Sequence, residues 1–142
     1  MTEKLTLNYA IRKDDYINGG KASSEIKKIL NELGLDQSLI RKIAISSYEA
    51  EMNLVIHSLG GELSCEINDQ KICIISRDFG PGIEDIELAM KPGFSTADAK
   101  AREMGFGAGM GLPNMKKHSD EFNIRSNKMG TRIVMCYLIN RW

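Results

Sequence analysis

Two polar side chains four residues apart, Glu49 and Asn53, could act together on one ligand. Residues at this spacing stack on one face of a helix, and His57 lies one further turn along. Burying a carboxylate and an amide is unfavourable unless a partner satisfies them, so this face is predicted to meet a polar ligand or an ion. An ion pair between Glu49 and a basic side chain would explain the pattern equally well, because the spacing is common in helices.

A second acid, Asp78, directly follows the apolar run KICIISR and precedes Gly80 and Gly82. A carboxylate at a strand end can accept a hydrogen bond from an exocyclic amine, and nearby glycines let a flat ring approach the backbone. The stretch DFGPG is therefore a candidate reader of adenine. The alternative is an ordinary turn in which Asp, Gly and Pro serve only the backbone geometry.

A third segment is rich in glycine and precedes a predicted helix. Unhindered backbone N–H groups and a positive helix N-terminus suit phosphates. The segment lacks the Gly-Lys-Ser/Thr of a P-loop, and no parallel-strand unit leads into it as in a Rossmann fingerprint. A flexible loop would have the same composition. Its glycines are Gly105, Gly107, Gly109 and Gly111.

Hydrophobic periodicity predicts the elements that must position these residues. Gly34 is a predicted helix C-cap, Asp36 a predicted N-cap, and residues 68–70 a tight turn. The fold class is α/β, as an α+β two-layer sandwich in which helices pack on one face of a mostly antiparallel mixed sheet. We expect one domain over residues 1–142 with strands over 4–12, 61–69, 71–78, 121–127 and 130–140 and helices over 18–33, 36–58, 84–90 and 111–119.

Composition excludes several classes of function. The 142 residues carry 19 basic and 19 acidic side chains, which does not indicate a nucleic-acid-binding face. No apolar run is long enough for a signal peptide or a membrane span, so a cytoplasmic protein is expected. Cys65, Cys73 and Cys136 lie in apolar runs without C-x-x-C spacing and are predicted to fill the core rather than bind metal or undergo redox chemistry.

Together the three segments resemble the Bergerat-fold (GHKL) ATPases over nearly the whole chain. Glu49 to Asn53 resembles the N box, Asp78 to Gly82 the first glycine box, and Gly105 to Gly111 the second. Within that superfamily, GFST at 93–96, GAGMGLPNMKK at 107–117, DEF at 120–122 and GT at 130–131 are similar to the anti-sigma-factor serine kinases and stressosome switch kinases of the RsbW/RsbT type.

The resemblance implies ATP and Mg²⁺ bound beneath a lid over residues 91–111. It assigns the adenine amine to Asp78 with support from Thr131, a Mg²⁺ ligand to Asn53, and the catalytic base to Glu49. Mg²⁺ keeps several waters and often has few protein ligands. Further nucleotide contacts are implied for Gly80, Gly82, Ile83, Ser95, Thr96, Gly105, Gly107, Ala108, Gly109, Met110, Gly111 and Leu112.

The implied activity is that of a serine/threonine protein kinase whose acceptor is a STAS-like (anti-sigma-antagonist) partner. A sigma factor or another regulator is a second implied partner, and a homodimer remains open. Two alternatives are a non-catalytic, nucleotide-gated binding module and the stand-alone catalytic domain of a histidine kinase system. A gyrase-type ATPase would need a second domain. The roles of Glu51, His57, Lys100 and Arg102 are not decided by the sequence.

Overall fold

The computed structural model describes residues 4–80, 82–83, 86–91 and 111–139. In this part no helix is both long and apolar enough to cross a membrane. Every predicted element is present, with ends that differ from the prediction by at most three residues. The elements are β1 (Leu5–Ile11), α1 (Lys21–Glu32), α2 (Gln37–His57), β2 (Gly61–Ile67), β3 (Lys71–Asp78), α3 (Ile86–Ala89), α4 (Gly111–His118), β4 (Glu121–Asn127) and β5 (Gly130–Leu138).

The five strands form one sheet in the order β1-β2-β3-β5-β4, and all four neighbouring pairs are antiparallel. Helix α2 lies against β1, β2 and β3, while α1 and α4 pack on α2. The helices therefore cover one face of the sheet, which confirms the two-layer α+β prediction. The other face is called the open face below.

The core lies between the sheet and the helices, as the strand alternation predicts. Leu63, Cys65 and Ile67 of β2 are buried on the helix side together, with Ile72 and Ile74 of β3 beside them. From the helices, α1 adds Ile26 and Leu30, α2 adds Ile40, Ile43 and Leu54, and α4 adds Leu112 and Met115.

The helix ends follow the predicted capping residues. At the end of α1, Gly34 takes a positive φ of 73°, and the Leu35 N–H donates back to the Leu30 carbonyl, which is a Schellman arrangement. At the start of α2, Asp36 Oδ2 accepts from the Leu39 N–H at 3.2 Å. Both predicted caps are confirmed.

Helix α1 begins later than predicted, because its N-terminus is capped from another helix. Gly20 is the N-cap, and its lack of a side chain leaves the first N–H groups without a local acceptor. Glu51 of α2 supplies the acceptor: its carboxylate takes hydrogen bonds from the N–H groups of Gly20 at 2.9 Å, Ala22 at 3.3 Å and Ser23 at 2.9 Å. Only 1% of Glu51 is exposed. This residue, unexplained by the sequence, joins α1 to α2.

The cysteine prediction is correct for one residue and wrong for two. Cys65 is a free, buried thiol in the core. Cys73 and Cys136 instead form a disulfide between β3 and β5, where they are direct partners in the strand register. The prediction failed because strand alternation turns both side chains away from the core and towards each other on the open face.

Candidate active site

Asp78 ends β3 and is held by the neighbouring backbone. Its Oδ1 accepts hydrogen bonds from the N–H groups of Thr131 at 2.7 Å and Gly80 at 3.0 Å. The side chain is half-buried. Within the described residues no other group bonds to this carboxylate, so its Oδ2 keeps its acceptor capacity. Thr131, which the resemblance assigns to support the contact of Asp78 with adenine, thus contacts Asp78 through its backbone N–H.

The loop after Asp78 is fixed against the turn between β4 and β5. Ser126 Oγ accepts from the Ile83 N–H at 2.7 Å and lies 2.7 Å from Thr131 Oγ1. Gly82 has a φ of 91°, and a Cβ there would overlap the Asn127 carbonyl oxygen. Glycine is therefore required for this close approach. Ser126 was not predicted, because its only sequence signal was alternation within a polar strand.

On α2, Glu49 and Asn53 face the start of α4. A Cβ built on Gly111 would lie 3.2 Å from Glu49 Oε2 and 3.4 Å from both Asn53 side-chain polar atoms. Burial raises the pKa of the Glu49 carboxyl above its usual range, and a side-chain hydrogen bond with Asn114 offsets part of this rise. Asn114 was not predicted as a site residue, although it lies in the stretch GAGMGLPNMKK at 107–117.

The loop after Asp78 contacts the end of α2, the helix that carries Glu49 and Asn53. The Leu59 N–H donates to the Gly80 carbonyl at 3.0 Å, just after the helix ends at His57. Since an α-helix rises by about 1.5 Å per residue, Asn53 lies about 6 Å and Glu49 about 12 Å back along the axis from the last helical residue, His57. The site is therefore an elongated strip with Asp78 at one end and Glu49 at the other.

Several predicted site residues lie outside the described residues. They are Ser95, Thr96, Gly105, Gly107, Ala108, Gly109 and Met110, together with Lys100, Arg102 and all but the two ends of the predicted lid. Two other predicted nucleotide-contact residues are described: the side chain of Leu112 lies in the core, and Ile83 packs against the core. His57 is exposed.

A cavity of about 800 Å³ lies elsewhere, along α1. Its lining includes Ser24 and Lys28 of α1 and Tyr48 of α2. None of Glu49, Asn53 and Asp78 contributes to it. We therefore place the site by the convergence of polar groups on Asp78 and Glu49 and not by cavity size.

This fold, with an acid at the end of β3 and a carboxylate–amide pair on α2, defines a histidine kinase-like ATPase domain. The model of that family matches residues 15–137, and the chain belongs to the family. It is similar to an anti-sigma F factor of Clostridium novyi, with 31% identity over 125 residues (83% of this chain and 84% of that protein). It is also similar to the serine/threonine-protein kinase RsbT of Bacillus subtilis, with 32% identity over 104 residues (70% and 72%).

Solved structures support the fold. The RsbU and RsbW domains of a Mycobacterium tuberculosis protein align over 96% of this chain with a TM-score of 0.63 and 19% identity; this chain spans 33% of that longer one. The SiaB–SiaC complex of Pseudomonas aeruginosa aligns over 94% of this chain and 89% of the other, with a TM-score of 0.53 and 10% identity. At these identities the likeness concerns the fold alone.

Proposed function

We propose that this protein is an ATP-dependent serine/threonine protein kinase of the partner-switching type, which transfers the γ-phosphate to a serine or threonine of a STAS-like protein. One observation carries the proposal. A half-buried carboxylate with a raised pKa, Glu49, shares a helix face with Asn53, and Gly111 at the start of α4 approaches both side chains without a side chain of its own. Similarity to anti-sigma F factors and to a serine/threonine-protein kinase supports the same reaction class.

Adenine is read by Asp78. With Oδ1 fixed by two backbone N–H groups, Oδ2 is oriented to accept a hydrogen bond from the exocyclic amine. A preorganised acceptor loses little conformational entropy when the base binds. Thr131 and Ser126 hold this arrangement by linking β5, β4 and the loop that contains Gly82 and Ile83.

The residues present fit a magnesium ion beside Asn53. The space that a Cβ on Gly111 would fill borders the Asn53 amide and the Glu49 carboxylate, and oxygen donors of this kind suit Mg²⁺. Asn53 would hold the ion through its side-chain oxygen. When bound with ATP, the ion supplies charge neutralisation on the phosphates.

Glu49 acts as the base on the acceptor hydroxyl. The partner's serine or threonine oxygen forms a bond to the γ-phosphorus, the bond from that phosphorus to the β–γ bridging oxygen breaks, and ADP leaves. The hydroxyl proton passes to the Glu49 carboxylate. A raised pKa suits this role because a base works best when its pKa lies nearer the operating pH.

The lid remains part of the proposal. Ser95, Thr96, Gly105, Gly107, Ala108, Gly109 and Met110 would contact the phosphates through backbone N–H and hydroxyl groups, ahead of the N-terminus of α4 at Gly111. A sigma factor or another regulator is the second proposed partner, and a homodimer is the proposed assembly.

The nucleotide site is tested by exchanging one acceptor for a donor. In Asp78→Asn the amide oxygen can retain the two backbone bonds, which leaves an NH₂ group facing the base. ATP affinity should fall by about 10-fold, which corresponds to about 1.4 kcal/mol. Inosine triphosphate carries an oxygen in place of the amine, so its affinity relative to ATP should rise in the variant. Equal losses for both nucleotides would contradict the assignment of Asp78.

The kinase reaction is tested by incubating the protein with γ-labelled ATP and candidate STAS-domain proteins. Label on a serine or threonine of the partner, abolished when that residue is changed to alanine, is the expected result. Nucleotide-dependent capture of the partner without label would instead identify a nucleotide-gated binding module. Acid-labile label on a histidine would identify a histidine kinase domain.

A further inference from the structure

The open face of the sheet carries a row of three arginines. The strand register places Arg77 of β3 opposite Arg132 of β5, and Arg132 opposite Arg125 of β4. All three are exposed. We call these residues the arginine row. Because neighbouring strands lie about 4.8 Å apart, the row spans about 10 Å across the sheet.

Like charges directly opposite each other on neighbouring strands are destabilising. The same face avoids this at its other end, where Lys4 pairs with Glu66 at 2.9 Å and Lys71 with Glu121 at 3.7 Å. Among the described residues, none of the three arginines has a carboxylate within 4 Å. Glu62 of β2 lies opposite Arg77 in the register, so one acid faces the β2 end of the row. Three arginines against one acid leave the row with excess positive charge, centred on Arg132 and Arg125, within a chain of zero net charge.

The neighbouring row of side chains on the open face limits which kind of partner can bind to the arginine row. It runs Asn8, Ser64, Ile75, Val134 and Asn123, with no charge and with two half-buried apolar side chains beside the arginines. The row after that carries Glu66 and Glu121. A nucleic acid that followed the strands would meet these acids. A partner with a short acidic edge and an apolar strip beside it fits the surface better.

We propose that the arginine row, with Ile75 and Val134, is a docking surface for an acidic amphipathic helix of a protein partner, lying across the strands. Helix side chains at i, i+4 and i+7 recur about every 5.4 Å along one face, close to the spacing of the strands. Arginine also suits this role, since its planar guanidinium binds carboxylates in a two-pronged geometry. The proposal does not rest on phosphoryl transfer, because the open face lies across the sheet from α2.

The test uses a helical peptide as the probe. A lactam-stapled peptide of about five turns carries Glu at i, i+4 and i+7 with Leu on the adjacent face, and its control has Gln in place of Glu. Fluorescence anisotropy should show that the Glu peptide binds more tightly than the Gln peptide. Arg132→Gln should lower the affinity for the Glu peptide about fivefold. Arg41 is an exposed arginine of α2, and the control substitution Arg41→Gln should leave that affinity unchanged.

A second readout separates this role from a structural one. Because Arg132 lies between two like charges, Arg132→Gln should raise the thermal unfolding midpoint of the free protein by about 1–3 °C, although it lowers the affinity for the peptide. ADP affinity should be unchanged, so a defect in the nucleotide site would be seen separately. Equal binding of both peptides, or no effect of Arg132→Gln on the Glu peptide, would overturn the proposal.

Two further outcomes would also overturn it. If sedimentation shows that Arg132→Gln dissociates a dimer, the arginine row faces a second copy of this chain. If a short DNA duplex binds in an Arg132-dependent manner and the Glu peptide does not, the surface recognises nucleic acid.

Discussion

Truncation of Glu51 should destabilise the protein more than loss of an ordinary helix cap. In Glu51→Ala, three backbone N–H groups at the start of α1 lose a charged acceptor, two at 2.9 Å and one at 3.3 Å. A hydrogen bond to a charged group contributes about 1.5–3 kcal/mol. Since Gly20 is only half-buried and water can replace the carboxylate there, we expect a loss of about 3–5 kcal/mol in the free energy of unfolding.

Urea unfolding followed by circular dichroism measures this loss. With a slope of about 2 kcal/mol per M, the midpoint should fall by about 2 M. Asp36→Ala is the matched control, because Asp36 is an exposed cap of α2 with one bond to a backbone N–H and should cost only about 1 kcal/mol. Hydrogen exchange should accelerate at Ser23 in Glu51→Ala but not in the control. If both variants lost the same stability, the interhelical cap would be refuted.

Three other predictions concern the site and the sheet. Glu49→Gln should lower phosphoryl transfer by about 10²–10⁴-fold with ATP affinity retained. Because the folded pKa of Glu49 is raised, the stabilising contribution of this carboxyl is complete below its unfolded pKa and is lost as the pH rises through its folded pKa. The variant should therefore be more stable than the parent protein at neutral pH but not at pH 4. Equal stability at both pH values would contradict the desolvation argument. Gly82→Ala, where φ is 91° and a Cβ meets backbone, should cost at least about 2 kcal/mol, whereas Gly34→Ala, at φ 73° with open space, should cost about 1 kcal/mol; similar urea midpoints would disprove the close approach. Reduction of Cys73–Cys136, separated by 63 residues, should lower the unfolding free energy by up to about 4 kcal/mol, and an unchanged midpoint in dithiothreitol would show that the bridge does not stabilise the fold.

Local patterns were sufficient to predict the helices and strands and their two-layer arrangement. Alternation in LTLNYAI and GELSCEIND, with caps at Gly34 and Asp36, predicted elements that the structure confirms. What they could not predict was the pairing of distant residues. Strand order determines that Cys73 meets Cys136, and no local signal reports which cysteines share a register.

The candidate site likewise has residues that local spacing could predict and residues that depend on contacts between elements. Glu49, Asn53 and Asp78 could be selected because their residue types and spacing fit one chemistry, and their roles stay predictions. Ser126 and Asn114 were missed, since their significance depends on the approach of β4 to Gly82 and of α4 to α2. Sequence spacing within one element is predictable, whereas contacts between elements require the fold.

Helix α2 carries two acids, and their surroundings differ in a way that favours the different roles proposed for them. Glu51 is buried and has its hydrogen-bonding capacity met by three N–H groups, so its charge is used to fix α1. Glu49 is only half-buried, and desolvation raises its pKa, so its ionised form is less favoured. A carboxylate in that condition gains by accepting a proton, which is what a base on a hydroxyl must do.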